Sequence, residues 1–241
     1  MKVKTLAIGH EIMKITPEST DAIVVERINR FLVDVNLDGE IVHVHLHDPG
    51  RLRELIYPGS KVKIRRTEGK KTAFSITSCV MNGEEILLDT RFHNKIAESL
   101  LDVQFRREVT HGDSRYDFAT ENGFLEVKGC SMKVQNYVIF PDAPTVRGVK
   151  HLSNLTRMKG EGMDTGVMFL IFRKDAQYFY PNEMTDPDFR DAFLNARAKG
   201  VRFYFPKFSL KRDTIFFDGY VSQGKDPFKE HGFVKEVEKY R

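Results

Sequence analysis

Short runs of alternating apolar and polar residues dominate the chain from residue 22 to about residue 89. Apolar residues recur with strand spacing in five segments, and Asp-Gly, Pro-Gly and Asn-Gly turn steps fall between several of them. The segments are 23–35, 41–46, 62–65, 74–81 and 86–88. Five short strands with tight turns predict a small barrel of the OB or the SH3-like type, because periodicity alone does not distinguish the two.

The second half of the chain mixes helical and strand periodicity. Helices are predicted over 94–103, from Thr145 onward and over 187–199, and strands over 105–109, 115–119, 124–128, 166–172 and 201–205. Segments that alternate in this way pack as a mixed α/β layer. We therefore predict two domains, a barrel over 1–90 and an α/β domain over 91–241 with a charged tail.

The most informative chemistry lies in one predicted hairpin. Ser114 to Phe118 and Phe124 to Lys128 form its strands, and the Asn-Gly step at 122–123 supplies the turn. Because side chains alternate along a strand, Glu126 and Lys128 face one way while the apolar residues at 125 and 127 face the core. The register of the hairpin can bring Asp117 beside them.

Two carboxylates and an amine are the minimal set for metal-dependent cleavage of a phosphodiester. Mg²⁺ or Mn²⁺ prefers carboxylate oxygens, so Asp117 and Glu126 are the predicted ligands, with Glu108 as a third. Lys128 is predicted to orient the attacking water or to stabilise transition-state charge. Glu-x-Lys is also common on exposed strands as an ion pair, and Glu108 can equally pair with a neighbouring arginine.

A breaker-rich loop over 140–145 precedes the helix that is predicted to begin near Thr145. Its apolar residues at 146, 149, 152 and 155 recur on one face. Arg147, Lys150 and His151 fall in its first turns, where they can meet phosphates or form a solvated basic face.

Several separated motifs in this chain resemble the sugar fermentation stimulation protein A (SfsA) family. In the second half they are 114–118, 125–128, 140–152, Asp186-Pro187-Asp188-Phe189 and Gly200-Val201. In the first half they are 30–33, His45 with 50–52, 58–60 and 89–94. The resemblance extends over nearly the whole chain.

The resemblance implies an N-terminal OB-like barrel followed by a mixed α/β restriction-endonuclease-like (PD-(D/E)XK) domain, and it implies DNA binding. Asp117, Glu126 and Lys128 fall on the nuclease-like signature. Many members read Pro-Asn-Thr-Gly where this chain has residues 47–50, and many carry Asn where this chain has Gly129.

The chain has 38 Lys and Arg residues and 34 Asp and Glu residues, which gives a net charge of +4. This small positive net charge is compatible with a polyanionic partner but does not require one. The partner is expected to be DNA, with RNA as the alternative. The predicted nucleic-acid-binding residues are basic side chains of both halves: Arg51, Arg53, Lys61, Lys63, Arg65, Arg66, Arg115, Arg147 and Lys150. With Lys70 and Lys71, four of them would form a basic ridge on the barrel, or a solubilising hairpin.

Other features narrow the class of protein. Cys79 and Cys130 lack metal or disulfide spacing, and no signal or membrane-spanning run is evident, which predicts a cytoplasmic protein. His43, His45 and His47 share a strand face, a spacing that binds transition metals or forms a polar face beside a DNA groove. The sequence thus predicts a metal-dependent nuclease of DNA or RNA. The alternatives are a non-catalytic DNA-binding regulator of sugar metabolism genes and, on the family name alone, a carbohydrate-linked factor. A homodimer is left open.

Overall fold

A computed structural model describes residues 1–68 and 72–240 of the chain. The first strands are β1 (His10–Lys14), β2 (Thr20–Arg27), β3 (Leu32–Leu37), β4 (Glu40–His45), β5 (Lys61–Arg66), β6 (Phe74–Met81) and β7 (Glu84–Leu87). A helical turn over Thr90–Phe92 leads into α1 (His93–Leu100). The predicted basic positions Lys70 and Lys71 lie outside the described residues.

The second half alternates strands and helices as its periodicity predicts. It comprises β8 (Arg106–His111), β9 (Ser114–Thr120), β10 (Gly123–Cys130), β11 (Lys133–Val134), β12 (Tyr137–Phe140), α2 (Val146–Gly160), β13 (Gly166–Ile171), β14 (Tyr178–Pro181), α3 (Pro187–Ala198), β15 (Arg202–Tyr204), β16 (Pro206–Lys211), β17 (Thr214–Tyr220), β18 (Ser222–Gln223) and α4 (His231–Glu238). A short helical turn over Pro227–Lys229 precedes α4.

Five strands close into a barrel in the first half. They follow the order β4, β3, β2, β5, β6, and β4 pairs with β6 in parallel through Val44 and Phe74 to complete the circuit. Buried Val, Ile and Leu side chains from alternate positions fill the interior. The expected N-terminal OB-like barrel followed by a mixed α/β domain is confirmed.

The barrel continues into the sheet of the second domain. β7 pairs with β16, and the sheet runs on through β13, β10, β9 and β8. β10 and β13 are parallel, whereas β9 and β10 form the predicted antiparallel hairpin. α2 and α3 pack on one face of this sheet, and the opposite face joins the barrel core. β10 is therefore covered on both faces.

Caps fix where the two long helices begin. The Thr145 side chain accepts a hydrogen bond from the backbone N–H of Gly148, and Asp186 caps α3 through the N–H of Phe189. The second Asp186 carboxylate oxygen accepts a bond from the N–H of Thr145 at 2.7 Å, so one aspartate ties both helix starts together. This bond holds the first turn of α2 in place over β10.

Several elements differ from the predicted ones. The segment 23–35 is two strands, because Asn29 accepts bonds from the N–H groups of residues 31 and 32 and turns the chain. β1, which the prediction assigned to the barrel, pairs with β17. Val146 is 86% exposed and so lies off the apolar face of α2. Among the residues that the structure describes, no helix is both long and apolar enough to cross a bilayer.

Candidate active site and nucleic-acid groove

The β9–β10 hairpin brings the three predicted catalytic residues together. Its register pairs Leu125 with Phe118, so continuation of the ladder would set Asp117 opposite Glu126. Leu125 and Val127 face the barrel-side core, as predicted. Glu126 and Lys128 share the other face, which lies beneath α2 and is closed to solvent at Glu126, only 3% exposed. The alternative prediction, an ion pair on an exposed strand face, is wrong for this strand because Glu126 is buried.

Beyond the Leu125–Phe118 pair, the Asp117 side chain forms the next hydrogen bond between the two strands. Its Oδ2 accepts a hydrogen bond from the N–H of Val127 at 2.7 Å, and its Oδ1 accepts one from the side-chain amide of Asn94 at 2.9 Å. These bonds fix the carboxylate at the edge of the hairpin. Burial and the nearby charge of Glu126 raise the pKa of Asp117 above its usual value.

Glu126 lies between two cationic or potentially cationic groups. Its Oε1 contacts Lys128 Nζ and lies 2.7 Å from His151 Nδ1, which α2 delivers from above. Burial acts to raise the pKa of Glu126, but the adjacent His151 ring and the charge of Lys128 outweigh it, so the pKa is lowered. Its Oε2 is buried without a hydrogen-bond partner among the described residues. A buried carboxylate oxygen without a partner is costly and is available to a cation.

His151 belongs to the site, although it is absent from the predicted catalytic set. It is 3% exposed on the apolar face of α2, and its ring packs against Tyr116 with centroids 5.4 Å apart. Arg147, one turn earlier, lies with its Nε 3.4 Å from His151 Nε2. The sequence contains one indication of this role: His151 lies four residues after Arg147, within a helix stripe whose other residues are apolar.

Glu108, the predicted third metal ligand, has other partners. Its carboxylate contacts the Arg115 guanidinium and lies 3.3 Å from Asn94 Nδ2, the same amide that donates to Asp117. Over residues 1–68 and 72–240, no three His, Cys, Asp or Glu side chains are grouped closely enough to hold an ion. The role of Glu108 therefore stays a prediction, and the geometry offers two carboxylates.

A groove runs along the seam between the barrel and the second domain. One cavity of about 670 Å³ is lined by Lys128, His93, Arg30 and Arg147, and by the loops 48–50 and 139–145. A second, of about 440 Å³, shares Arg30 and residues 49–50 with the first. We call the two together the seam groove. Lys128 also lines a small pocket that contains Glu126 and His151, so it stands between the groove and the buried carboxylate.

The predicted basic residues divide into two groups. Among the described residues, three predicted arginines of the seam groove have no carboxylate within ion-pair distance: Arg51, Arg53 and Arg147. Arg30, which was not among the predicted contacts, lines the groove and has none either. Four other predicted contacts have one: Lys63 with Asp21 and Glu85, Arg65 with Asp89, Arg115 with Glu108, and Lys150 with Asp113. Lys61 and Arg66 are exposed on β5, where Arg66 lies over the Phe74 ring.

The two central residues of the predicted basic ridge on β5, Lys63 and Arg65, are therefore paired with carboxylates. Arg65 is 9% exposed and binds Asp89, which is fully buried and also binds Arg91. Burial acts to raise the pKa of Asp89, but the bonds from Arg91 and Arg65 outweigh it and lower the pKa. We call Arg65, Asp89 and Arg91 the Asp89 cluster. Its charges serve the fold, since a buried ion has to be paired.

Two carboxyl groups at the seam, of the half-buried Asp48 and the buried Glu54, have no such ion-pair partner among the described residues. Burial raises the pKa of Asp48 to about 7 and that of Glu54 to about 7. Arg27 lies nearby, but its guanidinium donates to the backbone carbonyls of Arg30, Gly50 and Arg51. Asp142 accepts a bond from the N–H of Leu52, and a methyl group on Gly50 would overlap its carboxylate. These contacts hold the 48–52 loop against the second domain.

Gly129 directly follows Lys128, the predicted catalytic lysine. A Cβ at this position would overlap the ring of His93, which stacks on Phe172 with centroids 5.5 Å apart. Burial lowers the pKa of His93 to about 4, so its ring is neutral at neutral pH. In this chain, glycine makes room for a neutral imidazole in the wall of the seam groove.

Comparisons with known proteins agree with this architecture. The family profile described as "Sugar fermentation stimulation protein RE domain" matches residues 84–214, and "SfsA N-terminal OB domain" matches residues 25–88. A sugar fermentation stimulation protein homolog of Saccharolobus solfataricus is 47% identical over 211 residues, 88% of each chain. The homolog of Thermoplasma volcanium is 47% identical over 203 residues, 81% of this chain and 94% of that one.

A solved structure shows the same fold. The structure of Pyrococcus furiosus SfsA in complex with Ca²⁺ superposes with a TM-score of 0.83 at 24% sequence identity. The match covers 90% of this chain and all of the other. The barrel and the α/β domain are thus found together in that protein as well.

Proposed function

The chain belongs to the sugar fermentation stimulation protein family, and from the geometry of its site we propose that it is a divalent-cation-dependent nuclease that cleaves phosphodiester bonds in DNA, with RNA as the alternative substrate. The observation that carries the proposal is the Glu126 carboxylate. It is buried beside Asp117, and Lys128 joins it to the seam groove. Within the described part of the chain, one of its oxygens has no hydrogen-bond partner and the groove arginines have no carboxylate partner.

Asp117 and Glu126 fit a hard divalent cation such as Mg²⁺ or Mn²⁺. Such ions bind one or two carboxylates in substrate-phosphate sites and keep several waters, so two ligands suffice. The raised pKa of Asp117 reflects in part the repulsion between the two carboxylates, which a cation would relieve. The related Pyrococcus furiosus protein is described in complex with Ca²⁺, another ion that prefers oxygen ligands. A bound cation would lower the pKa of a coordinated water and offset charge on the phosphate.

The protein's own residues supply the rest of the reaction. Arg30 and Arg147 line the seam groove and would bind the phosphate backbone there, and Lys128 reaches from the groove to Glu126. As water adds to phosphorus and the bond to one ester oxygen breaks, the Lys128 ammonium would stabilise the added negative charge. His151 positions Glu126 from the opposite side. Asn94 and the Val127 N–H hold Asp117.

A test is cleavage of labelled single-stranded and duplex DNA and RNA with Mg²⁺ or Mn²⁺. We expect Glu126→Gln and Lys128→Ala each to lower the rate at least about a hundredfold, because each removes charge from the reacting site. Glu121→Gln, at the exposed turn of the same hairpin, is the matched control and should cleave like the wild type. Equal cleavage by the wild type and Glu126→Gln would reject the assigned site.

A non-catalytic DNA-binding regulator is the second candidate. One observation favours it: the Lys128 ammonium and the His151 ring already contact Glu126, and both Asp117 oxygens accept hydrogen bonds, so the network is largely satisfied within the chain. Tight binding without cleavage for every substrate and cation would select this candidate over the nuclease.

A further inference from the structure

Three aromatic rings form a row on the outside of the barrel. Phe31, just before β3, stacks on His45 at the end of β4 with centroids 6.1 Å apart and planes within 12°. His45 meets His47 edge-on with centroids 4.3 Å apart. Phe31 is 43% exposed and the two imidazoles are half-buried, so the row presents flat surface to solvent. A large exposed ring in a pre-formed stack is typical of a binding surface.

The backbone holds this row in place. Leu32 pairs with His45, and the N–H of Leu46 donates to the carbonyl of Phe31 at 2.9 Å, which sets the first two rings on neighbouring strands. His47 Nε2 lies 3.1 Å from Ser75 Oγ, and Thr90 Oγ1 donates to the carbonyl of His47 at 3.0 Å. Rings that are already ordered lose little conformational entropy when a ligand binds.

The row leads into the seam groove. Arg30, the residue before Phe31, lines both cavities of the groove, and Asp48 and Pro49, the residues after His47, line the cavity that contains Lys128. Burial lowers the pKa of His47 to about 4, so its ring is neutral at neutral pH and offers a flat face rather than a charge. Along one path, the row of aromatic rings is thus followed by guanidinium groups of the seam groove that have no carboxylate partner among the described residues.

We propose that Phe31, His45 and His47 form a base-stacking platform that binds unpaired nucleotides of a single nucleic-acid strand and leads the strand into the seam groove. The proposal rests on the proposed nuclease function and specifies the substrate of that site. Single-strand binding proteins combine a cationic track for the backbone with aromatic faces for the bases. Bases in a duplex are stacked on one another and do not present free faces, so the platform selects single-stranded regions.

The test separates base stacking from phosphate binding. Fluorescence anisotropy would compare an oligothymidylate of about 12 nucleotides with an abasic strand of equal length and with a duplex. We expect the wild type to bind the base-bearing strand about tenfold more tightly than the abasic strand. The double variant Phe31→Leu with His45→Ala should lose this preference while binding the abasic strand like the wild type.

Two control variants test whether the effect is local. Ile41→Ala removes an exposed apolar side chain from the same face of β4, and Tyr220→Ala removes an exposed ring from β17; both should keep the preference for bases. Thermal melting of each variant checks the fold, and Phe31→Tyr, which keeps the ring, should bind like the wild type.

The outcomes distinguish this proposal from the nuclease. If the double variant keeps its preference for bases, or if the wild type binds abasic and base-bearing strands equally, the platform is rejected while metal-dependent cleavage can still stand. Competition by neutral sugars with no effect of oligonucleotides would also reject it. Loss of base preference together with retained cleavage of duplex DNA would support the platform and separate it from the catalytic residues.

Discussion

The Asp89 cluster and the seam groove lie close together but differ in ion pairing: the charges of the cluster are paired, and the arginines of the groove have no carboxylate partner among the described residues. In the cluster, Asp89 is fully buried and two arginines neutralise it, so its pKa is lowered. At the groove, Arg30, Arg51, Arg53 and Arg147 have no carboxylate partner in the part of the chain that the structure describes, and the carboxyls of the half-buried Asp48 and the nearby buried Glu54 form no ion pair there. The contrast teaches that basic residues of similar appearance in the sequence can stabilise the fold or stay free for a ligand. Whether a basic residue forms an ion pair with a carboxylate decides which of these two roles it has.

The largest effect is expected from breaking the cluster. Asp89→Asn would leave the buried Arg65 guanidinium without its counter-ion, which should lower the free energy of unfolding by about 3 kcal/mol. Urea titration at neutral pH measures it. The control Asp21→Asn removes the 82% exposed partner of Lys63 and should change stability by no more than about 0.5 kcal/mol. Nucleic-acid binding by folded Asp89→Asn should equal that of the wild type; a large loss would mean that the cluster also contacts ligand.

A smaller effect is expected from the unpaired carboxyls of the seam. Burial raises the pKa of Asp48 to about 7, so between about pH 4 and pH 7 the folded protein holds a proton that the unfolded chain has released. This contribution to stability is complete below about pH 4, is lost as the pH rises toward 7, and changes no further above that. Glu54 acts in the same direction.

Asp48→Asn removes this penalty, because the amide stays neutral while its oxygen can still accept the bond from the N–H of Gly50. We expect the variant to be more stable than the wild type at pH 8 by about 2 kcal/mol, and the difference to shrink toward pH 4. Thermal unfolding across this pH range measures it. Asp38→Asn, in an exposed turn, should follow the wild-type curve. A stability gain that is independent of pH would contradict the ionisation argument.

The smallest effect in free energy is expected from removing two arginines of the seam groove, which tests whether they bind phosphate groups. Arg51→Ala with Arg53→Ala should weaken nucleic-acid binding about tenfold and reduce the slope of log K against log salt by about 2, because two phosphate contacts are lost. Stability should change by less than about 0.5 kcal/mol, since neither guanidinium is in an ion pair with a described residue. Anisotropy titrations at several salt concentrations give both quantities.

Lys61→Ala is the matched control for that pair of substitutions. Lys61 is exposed on β5, at the other end of the predicted ridge from Arg66, and does not line the seam groove. It should reduce the affinity for nucleic acid much less. An equal or larger loss in Lys61→Ala would mean that the ligand follows β5 rather than the groove.

Local patterns in the sequence predicted the hairpin and the long helices well. Strand alternation set Glu126 and Lys128 on one face and Leu125 and Val127 on the other, and the start of α2 at Thr145 followed from the breaker-rich loop. The β16–β17 hairpin was not predicted, because its turn at Arg212-Asp213 carries no Asn-Gly or Asp-Gly step. The pairing of β1 with β17 was not predicted either, because strand pairing between residues some 200 positions apart leaves no local periodic signal.

The sequence by itself determined which residues are the candidates for the proposed chemistry: the grouping of Asp117, Glu126 and Lys128 follows from a turn and a period of two, which are local properties of the backbone. Only the tertiary structure decided the state of each charge. It buried Glu126 under His151, paired Arg65 with Asp89, and left Arg30 and Arg147 without a carboxylate partner among the described residues. The physical reason is that ion pairing and desolvation depend on distances between side chains far apart in the chain, which no local pattern encodes.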